Sequence, residues 1–144
     1  MTLPKPALLN YAGALISAGL MAYALYAQHV LLLEPCPLCV LQRIAVIVLG
    51  ILFLIAAIQN PTGKVGRGVY TVLVGLAAAA GATVAGWHVH LQNLPLDEVP
   101  SCGPGFDYLV GNFPLKDALA KIFSGSGECA TIDWQFLGLS MPTW

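Results

Sequence analysis

The chemistry in this sequence is concentrated in sulfur, and its sharpest feature is the run Cys36-Pro37-Leu38-Cys39. A Cys-x-x-Cys pair can close a small disulfide ring that exchange with another thiol reopens. Pro37 suits the first turn of a helix, where its missing N–H would have had no partner anyway. Cys36 then falls near the N-cap and Cys39 about one turn in. Unpaired N–H groups and the helix dipole favour an anion there. Arg43 follows Cys39 by four residues and shares its helix face. In such surroundings a thiol pKa of about 8.5 can fall to roughly 3.5–7.5. Cys39 is therefore expected to be held as a thiolate that can donate electrons to an acceptor beside it. Arg43 also stands inside an apolar stretch, where a charge is costly and marks a candidate functional site. Its alternative is to extend toward lipid headgroups.

Cys102 and Cys129 form a second, widely separated pair. Four cysteines allow three pairings, of which Cys36–Cys39 with Cys102–Cys129 is the simplest. Considered alone, Cys102–Cys129 would be a structural staple. With a helix-tipped pair facing the same compartment, exchange between pairs needs only loop motion. A zinc site normally draws on two close cysteine pairs. One close pair in an oxidising compartment argues against it, so no metal is expected. His88 and His90 are two residues apart, point to different helix faces and make a poor metal pair. Gln28 and His29 close the first apolar stretch near the expected level of Cys39, which makes them candidates for an acceptor site.

These residues need elements to position them, and composition says which. The 144 residues are 58% hydrophobic and only 9% charged, against about 25% charged in a soluble domain. A net charge of −1 offers no basic field for nucleic acid. Three apolar stretches, at 11–33, 41–58 and 69–91, approach or exceed the roughly 20 residues a membrane-spanning helix needs. The first is too long for a signal-peptide core of about 7–15 residues and is taken as an anchor. Lys5, Lys64 and Arg67 lie on one side by this arrangement, the cytoplasmic one by the positive-inside rule. The connection 30–40 and the loop 92–144 then face outward, and all four cysteines with them. In bacteria that side is oxidising, where disulfides persist.

The expected architecture is all-α: a single membrane domain, a helical bundle with three transmembrane helices, and a long periplasmic loop. The Gly- and Ala-rich segment Leu76–Gly86 suits close helix approach. In the loop, Leu115, Ala118, Leu119, Ile122 and Phe123 recur at helical spacing, with Pro114 at the first turn and Gly125 ending the helix. This short amphipathic helix either lies flat at the lipid interface or packs its apolar face on the bundle; both readings stay open. Trp134 and the terminal segment GLSMPTW read as an interfacial aromatic anchor.

Taken together, these motifs resemble the DsbB family of disulfide-bond formation proteins. The likeness is carried by Gln28 to Cys39 (QHVLLLEPCPLC) with Gln42-Arg43, by His88 to Pro95 (HVHLQNLP), and by Ser101-Cys102-Gly103-Pro104. Gly127-Glu128-Cys129-Ala130, leading into Trp134 to Leu139, extends it over nearly the whole chain. The resemblance implies a bacterial inner-membrane oxidase that reoxidises DsbA, a soluble periplasmic thiol oxidase, and passes electrons to ubiquinone or menaquinone. It implies that Cys102 forms the mixed disulfide with DsbA, that Cys129 is its partner, and that Cys36 exchanges with Cys129. Cys39 would contact the quinone with Arg43 in support, and His88 would lie near it. Membrane lipid is the remaining partner. The family has a fourth spanning helix, which would begin where this sequence stops at Trp144; it is expected from a continuation of the chain or from a separate segment.

Two other readings compete. A vitamin K epoxide reductase-like enzyme is also quinone-linked, but carries its Cys-x-x-Cys late, on the last bundle helix. A membrane scaffold with structural loop disulfides accounts for Cys102 and Cys129, yet leaves Cys39 and Arg43 without a reason.

Overall fold

The computed structural model of the chain describes residues 5–95, 97–98, 103, 106–125, 127–132 and 134–140, the side chains of residues 5, 107 and 136 excepted. Cys102, the turn residues Pro100, Pro104 and Gly105, and the terminal Met141–Trp144 of the expected aromatic anchor lie outside the described residues.

The protein is a helical membrane protein. Among the described residues, three helices are long and apolar enough to cross a bilayer: α1 (Lys5–His29), α2 (Pro37–Gln59) and α3 (Lys64–Gln92). Their boundaries differ from the apolar stretches for local reasons. The first stretch runs to residue 33, but α1 ends at His29, and Leu32 takes a positive φ of 55°. Pro35 and Pro37 follow, and a residue before proline is pushed out of the helical region. Pro37 is the first helical residue of α2, as its fixed φ favours. At the other end of α2, Asn60 turns to φ 39° while its N–H still reaches the Ala56 carbonyl at 3.0 Å. That left-handed asparagine just past a helix end closes α2. Helix α3 begins five residues before its apolar stretch. Intrahelical hydrogen bonds form in water as in lipid, so hydrophobicity marks the lipid-facing part rather than the helix ends.

The chain forms two compact units. The first comprises residues 1–32 and 43–81. Its helices approach through small residues: a Cβ on Gly13 would stand 2.9 Å from the Phe53 ring, and one on Gly81 3.1 Å from Ala45 Cβ. The Gly81 contact bears out part of the expectation for Leu76–Gly86. Gly86, by contrast, has open space where a Cβ would be.

The second unit comprises residues 33–42 and 82–144. It joins the start of α2 and the end of α3 to three short helices, α4 (Phe106–Asn112), α5 (Leu115–Ser124) and α6 (Gly127–Ala130). A two-stranded antiparallel ribbon follows, β1 (Gln135–Phe136) paired with β2 (Leu139–Ser140). Its two-residue turn has positive φ at both Leu137 and Gly138, the geometry whose twist matches a hairpin. Ser140 is buried and donates to Gln92 Oε1 at 2.6 Å, anchoring the ribbon to the end of α3.

Helix α5 is the amphipathic helix expected from spacing, with two adjustments. Pro114 is its N-cap rather than a first-turn residue, with a ψ of 143° that is extended, not helical. The apolar stripe is also divided. Ala118 and Ile122 are buried with Leu38, Leu91 and Leu109, whereas Leu115, Leu119 and Phe123 are exposed. Gly125 ends the helix at φ 84° and ψ 156°, a conformation essentially confined to glycine. Trp87 on α3 donates its indole N–H to the Phe123 carbonyl at 2.9 Å, fixing the end of α5 just before the segment that carries Cys129.

Candidate functional site: a sulfur cluster at the start of α2

Cys36 occupies the N-cap of α2. Its carbonyl accepts the Val40 N–H at 3.1 Å, and its sulfur accepts the Cys39 N–H at 3.2 Å. The sulfur therefore takes the place that a serine or aspartate oxygen usually fills at a helix start. Cys39 lies one turn in, its Sγ 2.6 Å from that of Cys36.

Cys129 completes the cluster from α6. It is fully buried, and its thiol hydrogen-bonds with Cys36. Cys36 thus has sulfur neighbours on both sides, one local and one brought from 93 residues away in sequence. Those hydrogen bonds, to Cys129 first and then to Cys39, combine with burial to push the Cys36 thiol well above the ordinary thiol range.

His88, on α3, is the polar core of the same unit and only 2% exposed. Its Nε2 lies 3.1 Å from the Cys129 carbonyl oxygen and 3.7 Å from Cys36 Sγ. Its Nδ1 lies 3.2 Å from Nε2 of Gln42. Cys36, His88 and Cys129 place their ligand atoms within 4.8 Å of one another, a spacing a metal could bridge. The contact with a carbonyl oxygen argues otherwise. That oxygen only accepts, so Nε2 carries a hydrogen there, and a ligating nitrogen must be bare.

Arg43 belongs to the other compact unit. Its guanidinium donates to Gln28 Oε1 on α1, and to the Ala24 carbonyl at 3.2 Å. Gln28, weighed from sequence only as an acceptor-site candidate, is thus the residue that holds Arg43. His29 is exposed at the last position of α1, and His90 is exposed with its ring 5.3 Å from that of Trp87. Sequence reasoning placed Cys36, Cys39 and Arg43 by local spacing. It gave His88 no structural partners and left Gln42 without a role of its own. The missed signal was that a polar side chain in a spanning helix has no water to bond and must find a partner in the protein.

Comparisons with known proteins show the family. The profile of the family described as disulfide bond formation protein DsbB matches residues 6–144. A disulfide bond formation protein B of Acinetobacter baumannii is 49% identical over 92% of this chain and 78% of its own length. That of Methylococcus capsulatus is 49% identical over 100% of the chain and 87% of its own length. The Chromobacterium violaceum protein reaches 52% over 88% of the chain and 76% of its own length. With a family profile covering nearly every residue and three sulfurs gathered at one helix start, this chain belongs to the DsbB family of disulfide-bond formation proteins.

Proposed function

We propose that this protein reoxidises a DsbA-like periplasmic dithiol oxidase and passes the electrons through its two cysteine pairs to a membrane quinone, ubiquinone or menaquinone. A membrane oxidoreductase of disulfide formation is what family membership implies. The observation that carries the finer reading is Cys36 hydrogen-bonded to both Cys39 and Cys129. A sulfur with two sulfur neighbours can exchange one disulfide for another with little movement. Exchange proceeds by thiolate attack on a disulfide sulfur.

In this reading Cys102 forms the mixed disulfide with the partner, and Cys129 leaves as a thiolate. Cys129 then attacks Cys36, so that the Cys36–Cys129 bond forms, the Cys36–Cys39 bond breaks and the electron pair departs on Cys39. The N-terminus of α2 favours that anion. A quinone, when bound, supplies two-electron acceptance. Arg43 and Gln28 fit such a molecule, being polar groups set among apolar helices. A guanidinium has five N–H donors, and Gln28 and Ala24 engage two of its nitrogens, leaving capacity to meet a quinone oxygen. The energetics also favour such an acceptor. DsbA is a strong oxidant at about −120 mV, so a glutathione-like acceptor would run the reaction backwards. The reading sets Lys5, Lys64 and Arg67 on the cytoplasmic side of the inner membrane and the cysteines on the periplasmic side.

The test is to mix reduced DsbA, the purified protein and a quinone, and to follow quinone reduction. Cys39→Ser is expected to abolish turnover, and Cys102→Ser to block electron entry from DsbA. If both variants turned over like the parent, the relay would be wrong.

A further inference from the structure

We infer that Gln42 is a positioning residue for exchange at Cys36: it fixes the His88 hydrogen on Nε2, and that N–H holds the Cys129 carbonyl so that the Cys129 sulfur stays beside Cys36. The inference rests on the exchange proposed above and concerns what holds its two sulfurs together.

A neutral imidazole has one donor nitrogen and one acceptor nitrogen. Nε2 of His88 meets the Cys129 carbonyl oxygen at 3.1 Å. A carbonyl oxygen cannot donate, so Nε2 carries the hydrogen and Nδ1 is left with a lone pair. That lone pair needs a donor, and the Gln42 amide nitrogen stands 3.2 Å away. The amide turned the other way would set an oxygen against a bare nitrogen, so both bonds require the same orientation. The result is one directed chain, from the Gln42 N–H to Nδ1 and from Nε2–H to the Cys129 carbonyl. It ties the start of α2 through α3 to α6 inside one compact unit. Burial of the ring strengthens both bonds and makes an unmet partner costly.

This arrangement also limits what His88 can do. It cannot take the Cys129 or Cys36 proton through Nε2, which already bears one, and its other lone pair is engaged by Gln42. The same N–H points toward Cys36 Sγ at 3.7 Å, where it would donate to a sulfur anion rather than create one. In the exchange step, Cys129 sulfur bonds to Cys36 sulfur, the Cys36–Cys39 bond breaks and Cys39 takes the electron pair. His88 is unchanged throughout. Gln42 acts on the step only by keeping the ring in the tautomer that grips Cys129.

The test needs neither DsbA nor quinone, so its outcome is separable from that of the relay. The full chain carrying Cys102→Ser is equilibrated in a glutathione redox buffer and quenched in acid. Peptide mapping then gives the ratio of Cys36–Cys129 to Cys36–Cys39 disulfide. Adding Gln42→Leu or His88→Leu is expected to lower that ratio about tenfold, the worth of roughly one such hydrogen bond. His88→Gln, whose amide N–H can stand where Nε2–H stood but which cannot act as a base, is expected to keep most of it. An unchanged ratio in Gln42→Leu would overturn the inference, as would a His88→Gln ratio as low as that of His88→Leu. The nitrogen NMR spectrum of the parent's His88 gives a check that no variant's folding can obscure. A hydrogen found on Nδ1 in place of Nε2 would end the argument.

Discussion

Gln28, one residue before the end of α1, accepts a hydrogen bond from the guanidinium of Arg43, 15 residues later in the chain. The Ala24 carbonyl one turn earlier accepts a second, so α1 presents two acceptors to one cation. A charge in an apolar helix is tolerable when its donors are met in this way. The pairing makes Gln28 part of whatever Arg43 does.

Replacing Gln28 with leucine removes one acceptor from a half-buried charge. Hydrogen bonds to charged groups are worth about 1.5–3 kcal/mol, so quinone-dependent turnover is expected to fall at least tenfold. Arg43→Gln should fall further. The double variant Gln28→Leu/Arg43→Gln should be no worse than Arg43→Gln alone, since the two act through one contact. Steady-state quinone reduction measures all three, and additive losses would show that the residues act separately.

The Cys36 thiol sets a pH dependence in the reduced protein. Hydrogen bonding with Cys129 and Cys39, and burial, raise its folded-state pKa above the unfolded value. The folded chain then holds this proton more tightly. The resulting stability is complete below the ordinary thiol pKa of about 8.5 and is lost as pH rises from there toward the folded value. Thermal unfolding of the reduced protein should therefore show a Tm that declines from about pH 8.5 upward. Cys36→Ala should flatten that decline. A Tm that rose with pH over this range would contradict the assignment.

Gly13 and Gly19 separate close approach from helix preference on α1. A Cβ at Gly13 would meet the Phe53 ring at 2.9 Å, while one at Gly19 meets nothing within 4 Å. Gly13→Ala is expected to destabilise by about 1–3 kcal/mol, the usual cost of overpacking. Gly19→Ala should be neutral, or stabilise by up to about 1 kcal/mol through lower chain entropy. Unfolding of the two variants in the same detergent gives the comparison.

Ile122 and Leu115 divide the stripe of α5 in the same manner. Ile122 is 2% exposed within the cluster that holds Cys36 and Cys129, and Leu115 is 69% exposed. Ile122→Ala should cost about 2–5 kcal/mol and speed alkylation of Cys129, whose cover it loosens. Leu115→Ala should change stability in detergent by less than about 0.5 kcal/mol. Equal alkylation rates in the two variants would mean that α5 does not cover Cys129.

What the sequence determined by itself was whatever depends on near neighbours along the chain. Three apolar stretches predicted three helices, Pro37 marked the start of α2, and Gly125 the end of α5. The Cys-x-x-Cys spacing put one sulfur at a helix N-cap and the next a turn later. Each is governed by hydrogen bonds and steric limits over a few residues, and so is readable from residue types alone. The partners of His88 were not legible in that way. Cys129 is 41 residues away from it and Cys36 is 52 away, and no periodicity reports such distances. Nor could spacing foresee that Gln28 would hold Arg43, or that the α5 stripe would bury Ala118 and Ile122 while leaving Leu115 exposed. Tertiary structure decided these because a buried polar atom must be satisfied by whichever group packing brings within about 3 Å. Which group arrives is a property of the assembled unit rather than of any segment within it.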